Sequence, residues 1–227
     1  MFLREFKATG ISTIAFAVIL TVIAAGNGFS QDASTKIEPP PAPAQSAVSV
    51  GLVIDNSGSL RLLLDGIIGF VNDTIDENGP EDEAFLVRFV SSDRVVLLQD
   101  FTSVKSQLHD AVDEMYIEGG QTALIDAINF SARHLSENSR PEPNRAKALV
   151  VVTDGDERNS ISKLDETIGL LKKSNIRVFV IAVAEGKVET KLLDRFAKET
   201  GGRVFLMTNR SQLRTAAKEL GTVLRKP

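Results

Sequence analysis

The sequence predicts an α/β fold, a doubly wound and mostly parallel six-stranded sheet with helices on both faces. From residue 47 onward, short runs rich in Val, Ile and Leu alternate with amphipathic segments of helical period. Runs that are apolar throughout fit strands buried on both faces. Two runs break the rhythm, because only Ser91-Ser92-Asp93 separates them and a hairpin must join them. The sheet should therefore have one antiparallel edge strand.

Six strands and six helices are predicted in alternation around that hairpin. The strands are expected at residues 47–54, 84–90, 94–99, 147–153, 176–183 and 203–207. The helices are expected at residues 59–75, 103–115, 122–137, 160–174, 187–199 and 210–225. The pair Gly201-Gly202 marks the end of the fifth helix, because glycine readily adopts the left-handed conformation that ends helices.

Length and composition indicate one globular domain. The chain has 227 residues, of which 43% are hydrophobic, enough for one sizeable core but few for two domains. Lys and Arg number 26 against 30 Asp and Glu, so there is no basic surface of the kind that nucleic acid requires. The absence of cysteine excludes disulfides, thiol chemistry and thiolate metal sites. A nucleic-acid partner is therefore not expected.

The N-terminal residues are typical of a secretory signal. Arg4 and Lys7 precede an apolar run over residues 11–25, and a small-x-small cleavage site follows at residues 28–30. We therefore interpret residues 1–30 as a signal peptide. The protein is expected to be exported, to the periplasm or the medium.

An uncleaved membrane anchor is the alternative for this segment, since residues 8–30 carry no charge. The apolar run is shorter than the roughly 20 residues that a spanning helix needs, which favours cleavage. Residues 31–46 follow, with four prolines among Ala, Ser and Gln, and such a composition cannot form a core. We interpret them as a spacer and residues 47–227 as the domain.

Oxygen-bearing side chains follow the first predicted strand. Asp55, Ser57 and Ser59 occupy alternate positions there, and Gly58 allows a tight turn between the hydroxyls. Ligand sites of open α/β sheets lie at the carboxyl edge, and hard cations such as Mg²⁺ prefer oxygen ligands. The alternative is that a serine merely caps the next helix and Asp55 is a turn residue.

Two further segments should reach the same edge of the sheet. Thr122 follows the glycine-rich turn Gly119-Gly120-Gln121 and precedes a predicted helix. Asp154 follows the fourth strand. Where strand order reverses beside the first strand, the ends of strands one and four are neighbours. The two segments therefore favour one shared site over a simple helix cap.

Together, these motifs resemble those of the von Willebrand factor type A (VWA) family. They are a D-x-S-x-S turn at Asp55, a threonine after a double glycine, and T-D-G after an apolar strand, within about residues 47–225. The resemblance implies the strand order 3-2-1-4-5-6 with the short strand antiparallel. It also implies a metal-ion-dependent adhesion site (MIDAS) in which the cation is held by Asp55, Ser57, Ser59, Thr122 and Asp154.

The expected cation at that site is Mg²⁺, with Mn²⁺ or Ca²⁺ possible. Neutral hydroxyl ligands leave a dication electron-poor, so a position stays open for an Asp or Glu carboxylate of a protein partner. The residues expected at the rim are Asn56, Gly58, Gln121, Asp156 and Glu157. Gln121 departs from the family pattern, in which glycine often precedes the threonine directly. The implied function is metal-dependent protein binding rather than catalysis.

Two other functions fit parts of the sequence. One is a scaffolding VWA domain whose metal is purely structural. The other is a metal-dependent hydrolase, since Asp154-Gly155-Asp156 resembles the D-x-D motif of haloacid dehalogenase phosphatases. That family, however, carries the motif on its first strand and has Thr or Val where this chain has Arg158. No nucleophile elbow or phosphate-binding loop occurs in the sequence either, so the chain is not expected to be an enzyme.

Three more polar residues have structural interpretations. His109 and His134 lie in separate predicted helices without a second histidine at ligand spacing, so both are expected at the surface. Asp126 lies one helical turn after Thr122 and is expected to fix the start of its own helix by hydrogen bonding.

Overall fold

The computed structural model describes residues 46–183, 188–207 and 210–225. The predicted signal peptide, and the spacer except for Ser46, lie outside the described residues. Within the described ranges, no helix has both the length and the apolar character needed to cross a membrane.

Six strands form one sheet in the described part of the chain. They are β1 (Val48–Asp55), β2 (Glu83–Phe89), β3 (Val95–Thr102), β4 (Ala146–Thr153), β5 (Ile176–Val183) and β6 (Arg203–Met207). Their order across the sheet is β3-β2-β1-β4-β5-β6. Only β2 and β3 pair in antiparallel fashion. The predicted fold class, strand order and antiparallel edge strand are confirmed.

Helices cover both faces of this sheet. The described α-helices are α1 (Leu64–Asp76), α2 (Lys105–Asp113), α3 (Leu124–Asn138), α4 (Leu164–Lys173), α5 (Thr190–Thr200) and α6 (Arg210–Leu224). Buried apolar residues of α1, α2 and α6 form a core on one face, and those of α3, α4 and α5 form a core on the other. Gly201 ends α5 with a φ of 74°, as the glycine pair predicted.

The central strand β1 serves both cores. Leu52 and Ile54 belong to one apolar cluster, and Val53 between them belongs to the other. A strand covered on both sides can be apolar at every position, which explains its sequence. Its last residue, Asp55, therefore ends the strand at a buried position of the carboxyl edge.

Five helices begin later than predicted. Two of them are α2, at Lys105 rather than 103, and α5, at Thr190 rather than 187, and the other three follow loops that carry candidate site residues. A short 3-10 helix at Gly58–Leu60 precedes α1, which begins at Leu64 rather than at residue 59. Helix α3 begins at Leu124 rather than 122, and α4 at Leu164 rather than 160. Before α4, the amides of Ile161 and Ser162 donate to the Asp126 carboxylate instead of continuing a helix, a long-range contact that periodicity does not reveal.

Candidate metal centre at the carboxyl edge of the sheet

Asp55 is the buried centre of the candidate site. It lies at the end of β1, flanked by β2 and β4, and its side chain is fully buried. One carboxylate oxygen, Oδ1, accepts a hydrogen bond from the Ser57 amide at 2.9 Å. The other, Oδ2, accepts one from the Thr153 hydroxyl at 2.8 Å. Both oxygens are therefore held in fixed directions by neutral donors.

Burial gives this carboxyl group unusual electrostatics. Desolvation raises the pKa of Asp55 to about 6, although hydrogen bonds from Ser57 and Thr153 lower it, and the nearby Asp154 carboxylate adds to the increase. Two carboxylates of like charge close together disfavour the ionised state of each other. A cation placed between them would reverse this effect.

The two serines of the turn face each other. The Oγ atoms of Ser57 and Ser59 share a hydrogen bond and lie 3.0 Å apart. Ser57 occupies the N-cap position of the 3-10 helix, but its side chain makes no capping hydrogen bond. The Ser57 hydroxyl therefore does not cap the helix, which excludes the capping alternative for this residue. Ser57 is buried, whereas Ser59 is exposed, so the pair extends from Asp55 towards the surface.

Thr122 and Asp154 lie in loops that are joined to each other. The Thr122 carbonyl accepts hydrogen bonds from the amides of Arg158, at 2.9 Å, and Asn159, at 3.3 Å. Asp154 directly follows β4, and its Oδ1 accepts a hydrogen bond from the Asp156 amide at 3.0 Å. Thr122 is buried and lies just before the N-cap of α3, Ala123. The three predicted segments thus meet at one edge of the sheet.

Three of the predicted rim residues lie where solvent or a partner can reach them. Gly58 and Gln121 are exposed. Asp156 is partly buried, and its carboxylate accepts a hydrogen bond from Arg158 at 2.6 Å.

Asn56 and Glu157, the other two residues predicted at the rim, make hydrogen bonds within and between the loops. Asn56 is fully buried, and its Nδ2 donates to the Tyr116 carbonyl at 2.5 Å. Among the described residues, its Oδ1 is buried without a hydrogen-bond partner. Glu157 accepts hydrogen bonds from the Ile125 amide, at 2.9 Å, and the Ser160 amide, at 2.9 Å. Asn56 therefore does not lie at the rim, whereas Glu157 is partly buried, like Asp156, and its place at the rim stays a prediction.

Glu157 and Asp126 each hydrogen-bond the backbone of the segment that carries the other residue or follows it. Glu157 satisfies an amide in the first turn of α3, the role expected of Asp126. Asp126 instead accepts hydrogen bonds from the amides of Ile161, at 2.9 Å, and Ser162, at 2.7 Å. The expectation that Asp126 fixes its own helix start is therefore wrong, because its carboxylate holds the loop before α4.

Two residues that shape the site, Thr153 and Gly155, were not predicted from the sequence. Thr153 is fully buried and orients Asp55, and the T-D-G motif that contains it was the only local signal. Gly155 has a φ of +86°, and a Cβ atom there would lie 2.6 Å from the Glu189 carbonyl oxygen. Both the backbone angle and the close approach require glycine.

The histidines lie outside these loops, and one prediction about them is wrong. His134 is only 13% exposed, because its ring packs against Phe85 and Phe101 with centroids 4.7 and 5.4 Å away. His109 hydrogen-bonds Asn72 and Asp76 of α1. Within the described ranges, no group of three or more His, Cys, Asp or Glu could hold a metal. A metal at the candidate site would thus depend on hydroxyl ligands.

Several solved structures share the fold. BatB from Bacteroides thetaiotaomicron superposes with a TM-score of 0.64 at 18% identity, over 79% of this chain and 100% of that one. A von Willebrand factor type A protein from Catenulispora acidiphila gives 0.68 at 18% identity, over 79% and 43% of the two chains. The pilus adhesin SpaC from Lactobacillus rhamnosus GG gives 0.61 at 11% identity, over 79% and 30%. At these identities the likeness concerns the fold alone.

Sequence comparison identifies the family. A comparison with curated proteins gives no match. The family model of the von Willebrand factor type A domain, however, matches residues 49–219, from the second residue of β1 into α6. This match spans most of the chain and agrees with the strand order and the loop motifs. The chain belongs to the von Willebrand factor type A domain family.

Proposed function

We propose that this chain is an exported, non-enzymatic domain that binds a protein partner through a divalent cation, Mg²⁺ in the first place. The partner would contribute an Asp or Glu carboxylate to the cation. The ligands from this chain would be Asp55, Ser57, Ser59, Thr122 and Asp154.

The pair of serine hydroxyls is the observation that carries the proposal. Adjacent oxygen ligands of an octahedral Mg²⁺, each about 2.1 Å from the ion, lie about 3.0 Å apart. The Oγ atoms of Ser57 and Ser59 are separated by 3.0 Å and stand beside the buried Asp55 carboxylate. The site therefore has the spacing and the negative charge that suit a small dication.

The donor set also suits a partner carboxylate. A dication bound there supplies an electron-poor centre, because hydroxyl ligands do not neutralise it. Its charge would hold Asp55 ionised despite the burial that raises the pKa of this group to about 6. The remaining positive charge is available to an acidic side chain from outside.

Export is supported by the N-terminal sequence, with its basic start, apolar run and small-residue cleavage site. Among the proteins of similar fold, SpaC is a pilus adhesin. An uncleaved anchor over residues 8–30 would display the same domain at the membrane.

Titration calorimetry of the full-length chain tests the metal site. After treatment with chelator, the protein is titrated with Mg²⁺, Mn²⁺ and Ca²⁺. Asp55→Ala should weaken Mg²⁺ binding by 100-fold or more, on the order expected for the loss of a charged ligand. Asp110→Ala on the exposed side of α2 is the matched control for lost charge and should bind like the wild type. Unchanged binding by Asp55→Ala would exclude the proposed ligand set.

A structural metal is distinguished from an adhesion site by reciprocal coupling. If a carboxylate completes the coordination, an acidic peptide should increase the affinity for Mg²⁺ by the same factor by which Mg²⁺ increases the affinity for the peptide. The probe is an immobilised peptide library with a central Glu or Asp, measured with Mg²⁺ and with chelator. Mg²⁺ binding that is indifferent to every acidic peptide would support the structural alternative.

A further inference from the structure

One apolar side chain projects into solvent from the loop that follows Asp154. Ile161 is 85% exposed, more than the other exposed large hydrophobic residues of the described chain, such as Leu62 at 65% and Leu206 at 55%. Single exposed apolar side chains are ordinary on protein surfaces. This one is unusual because of how firmly its backbone is held.

The backbone around Ile161 is fixed by the first turn of α3. The Ile161 amide donates to Asp126 Oδ2 at 2.9 Å, and the Ser162 amide donates to Asp126 Oδ1 at 2.7 Å. The hydroxyl of Ser160 accepts a hydrogen bond from the Asp126 amide at 3.1 Å. Asp126 thus hydrogen-bonds Ser160, Ile161 and Ser162, so the backbone that carries the Ile161 side chain is fixed.

The same loop is hydrogen-bonded to the backbone of Thr122, one of the candidate metal ligands. Two successive amides, those of Arg158 and Asn159, donate to the carbonyl of Thr122. Glu157 joins Ser160 to the start of α3, three residues after Thr122. The loop that carries Ile161 is therefore held against the loop of Thr122, one of the proposed ligands.

We propose that Ile161 is an apolar contact of the partner-binding surface. The partner would then carry an aliphatic or aromatic side chain beside the acidic residue that reaches the metal. This inference rests on the proposed function and specifies its partner further. A partner recognised only through charge would leave this side chain in water, and covering it would contribute binding energy from apolar burial.

The surroundings of Ile161 favour an apolar neighbour on the partner. On either side of it, the Ser160 hydroxyl donates to Glu157 and the Ser162 amide donates to Asp126. Arg158 donates to Asp156 at 2.6 Å. Beside these paired groups, the aliphatic surface of Ile161 is open to a partner.

A peptide library tests this directly with the full-length chain. Each peptide holds a central Glu or Asp, and the flanking positions carry Leu, Phe, Ser or Lys. In Mg²⁺, the wild type should bind Leu- or Phe-containing peptides about tenfold more tightly than their Ser counterparts, as expected for burying part of one isoleucine. Ile161→Ser should lose this preference and keep its dependence on Mg²⁺ and on the central acid.

Val104→Ser is the matched control. Val104 is 49% exposed and follows β3, whose antiparallel direction places it at the opposite edge of the sheet. This variant should keep the preference of the wild type. If Ile161→Ser also keeps it, the inference about Ile161 is overturned while the metal site stands. If no acidic peptide binds in a Mg²⁺-dependent way to any variant, the proposed function is overturned, and the inference with it.

Discussion

The two edges of the sheet both bury carboxylates, but they satisfy them differently. At the amino edge, Asp82 accepts hydrogen bonds from the Val48 amide, at 2.8 Å, and from Arg225. Glu83 next to it bonds the Ser49 hydroxyl at 2.7 Å and forms an ion pair with Arg140 at 3.2 Å. At the carboxyl edge, the hydrogen-bond partners of Asp55 in the described part of the chain are the neutral amide of Ser57 and hydroxyl of Thr153.

The different partners of these carboxylates indicate different roles for the two edges. A buried carboxylate costs free energy unless a cation or several donors compensate it. The amino edge supplies arginines from the chain itself, so it is complete and serves stability. Asp55 is compensated by neutral donors only, so the carboxyl edge retains negative charge that an external cation can balance. The comparison gives predictions that differ for the two edges.

The largest effect is expected at the amino edge. Asp82→Ala leaves the buried Val48 amide and Arg225 without their acceptor, and should lower the free energy of unfolding by about 3 to 5 kcal/mol. Asp55→Ala removes a buried charge as well as an acceptor, so in chelator it should cost less than about 2 kcal/mol. Chemical denaturation of both variants without metal measures the two values. A larger loss for Asp55→Ala would contradict the division between the edges.

A second effect is expected from the backbone of the loop that follows β4. Gly155→Ala places a Cβ 2.6 Å from the Glu189 carbonyl oxygen at a φ of +86°, and should cost about 1 to 3 kcal/mol. Gly69→Ala is the matched control, since no atom lies within 4 Å of the added Cβ in α1. That substitution should stabilise the helix by up to about 1 kcal/mol. Thermal unfolding compares the two, and equal effects would mean that the loop adapts freely.

Local patterns predicted most of the fold, and non-local hydrogen bonds explain the rest. Strand β1 could be recognised because both of its faces are covered, so every position from Val50 to Ile54 except Gly51 is apolar. The hairpin followed from the short connection at residues 91–93. The start of α4 was misplaced because Asp126, 35 residues before Ile161 in the chain, holds the backbone there out of the helix.

The candidate site also has a part that local sequence predicts and a part that depends on contacts between distant residues. Asp55, Ser57 and Ser59 belong to one turn, so their proximity could be predicted from spacing alone. The roles of Thr153 and Glu157 depend on contacts with other elements, and their residue types fit many loops equally well. The exposure of Ile161 could not be predicted either, because residues 160–163 continue a plausible helix in sequence.

The smallest effect concerns the brace beside Ile161 and its dependence on pH. Desolvation would raise the pKa of Asp126, but hydrogen bonds from Ser162, Ser92 and the Ile161 amide outweigh it and lower the pKa from 3.8. A lowered pKa in the folded state means that the ionised form stabilises the fold above the ordinary pKa, and that this contribution is lost as pH falls through the lowered value. Asp126→Asn should therefore be less stable than the wild type by about 1 kcal/mol at neutral pH.

Below the lowered pKa, the wild type and Asp126→Asn should converge in stability, since the aspartate is then also neutral. The measurement is the free energy of unfolding of both proteins against pH, in chelator so that metal binding does not contribute. A gap that widens as pH falls would mean that Asp126 does not act as an ionised acceptor in the fold. If the gap closes as expected, the chain itself holds the loop that carries Ile161, and the position of this loop does not depend on a bound metal.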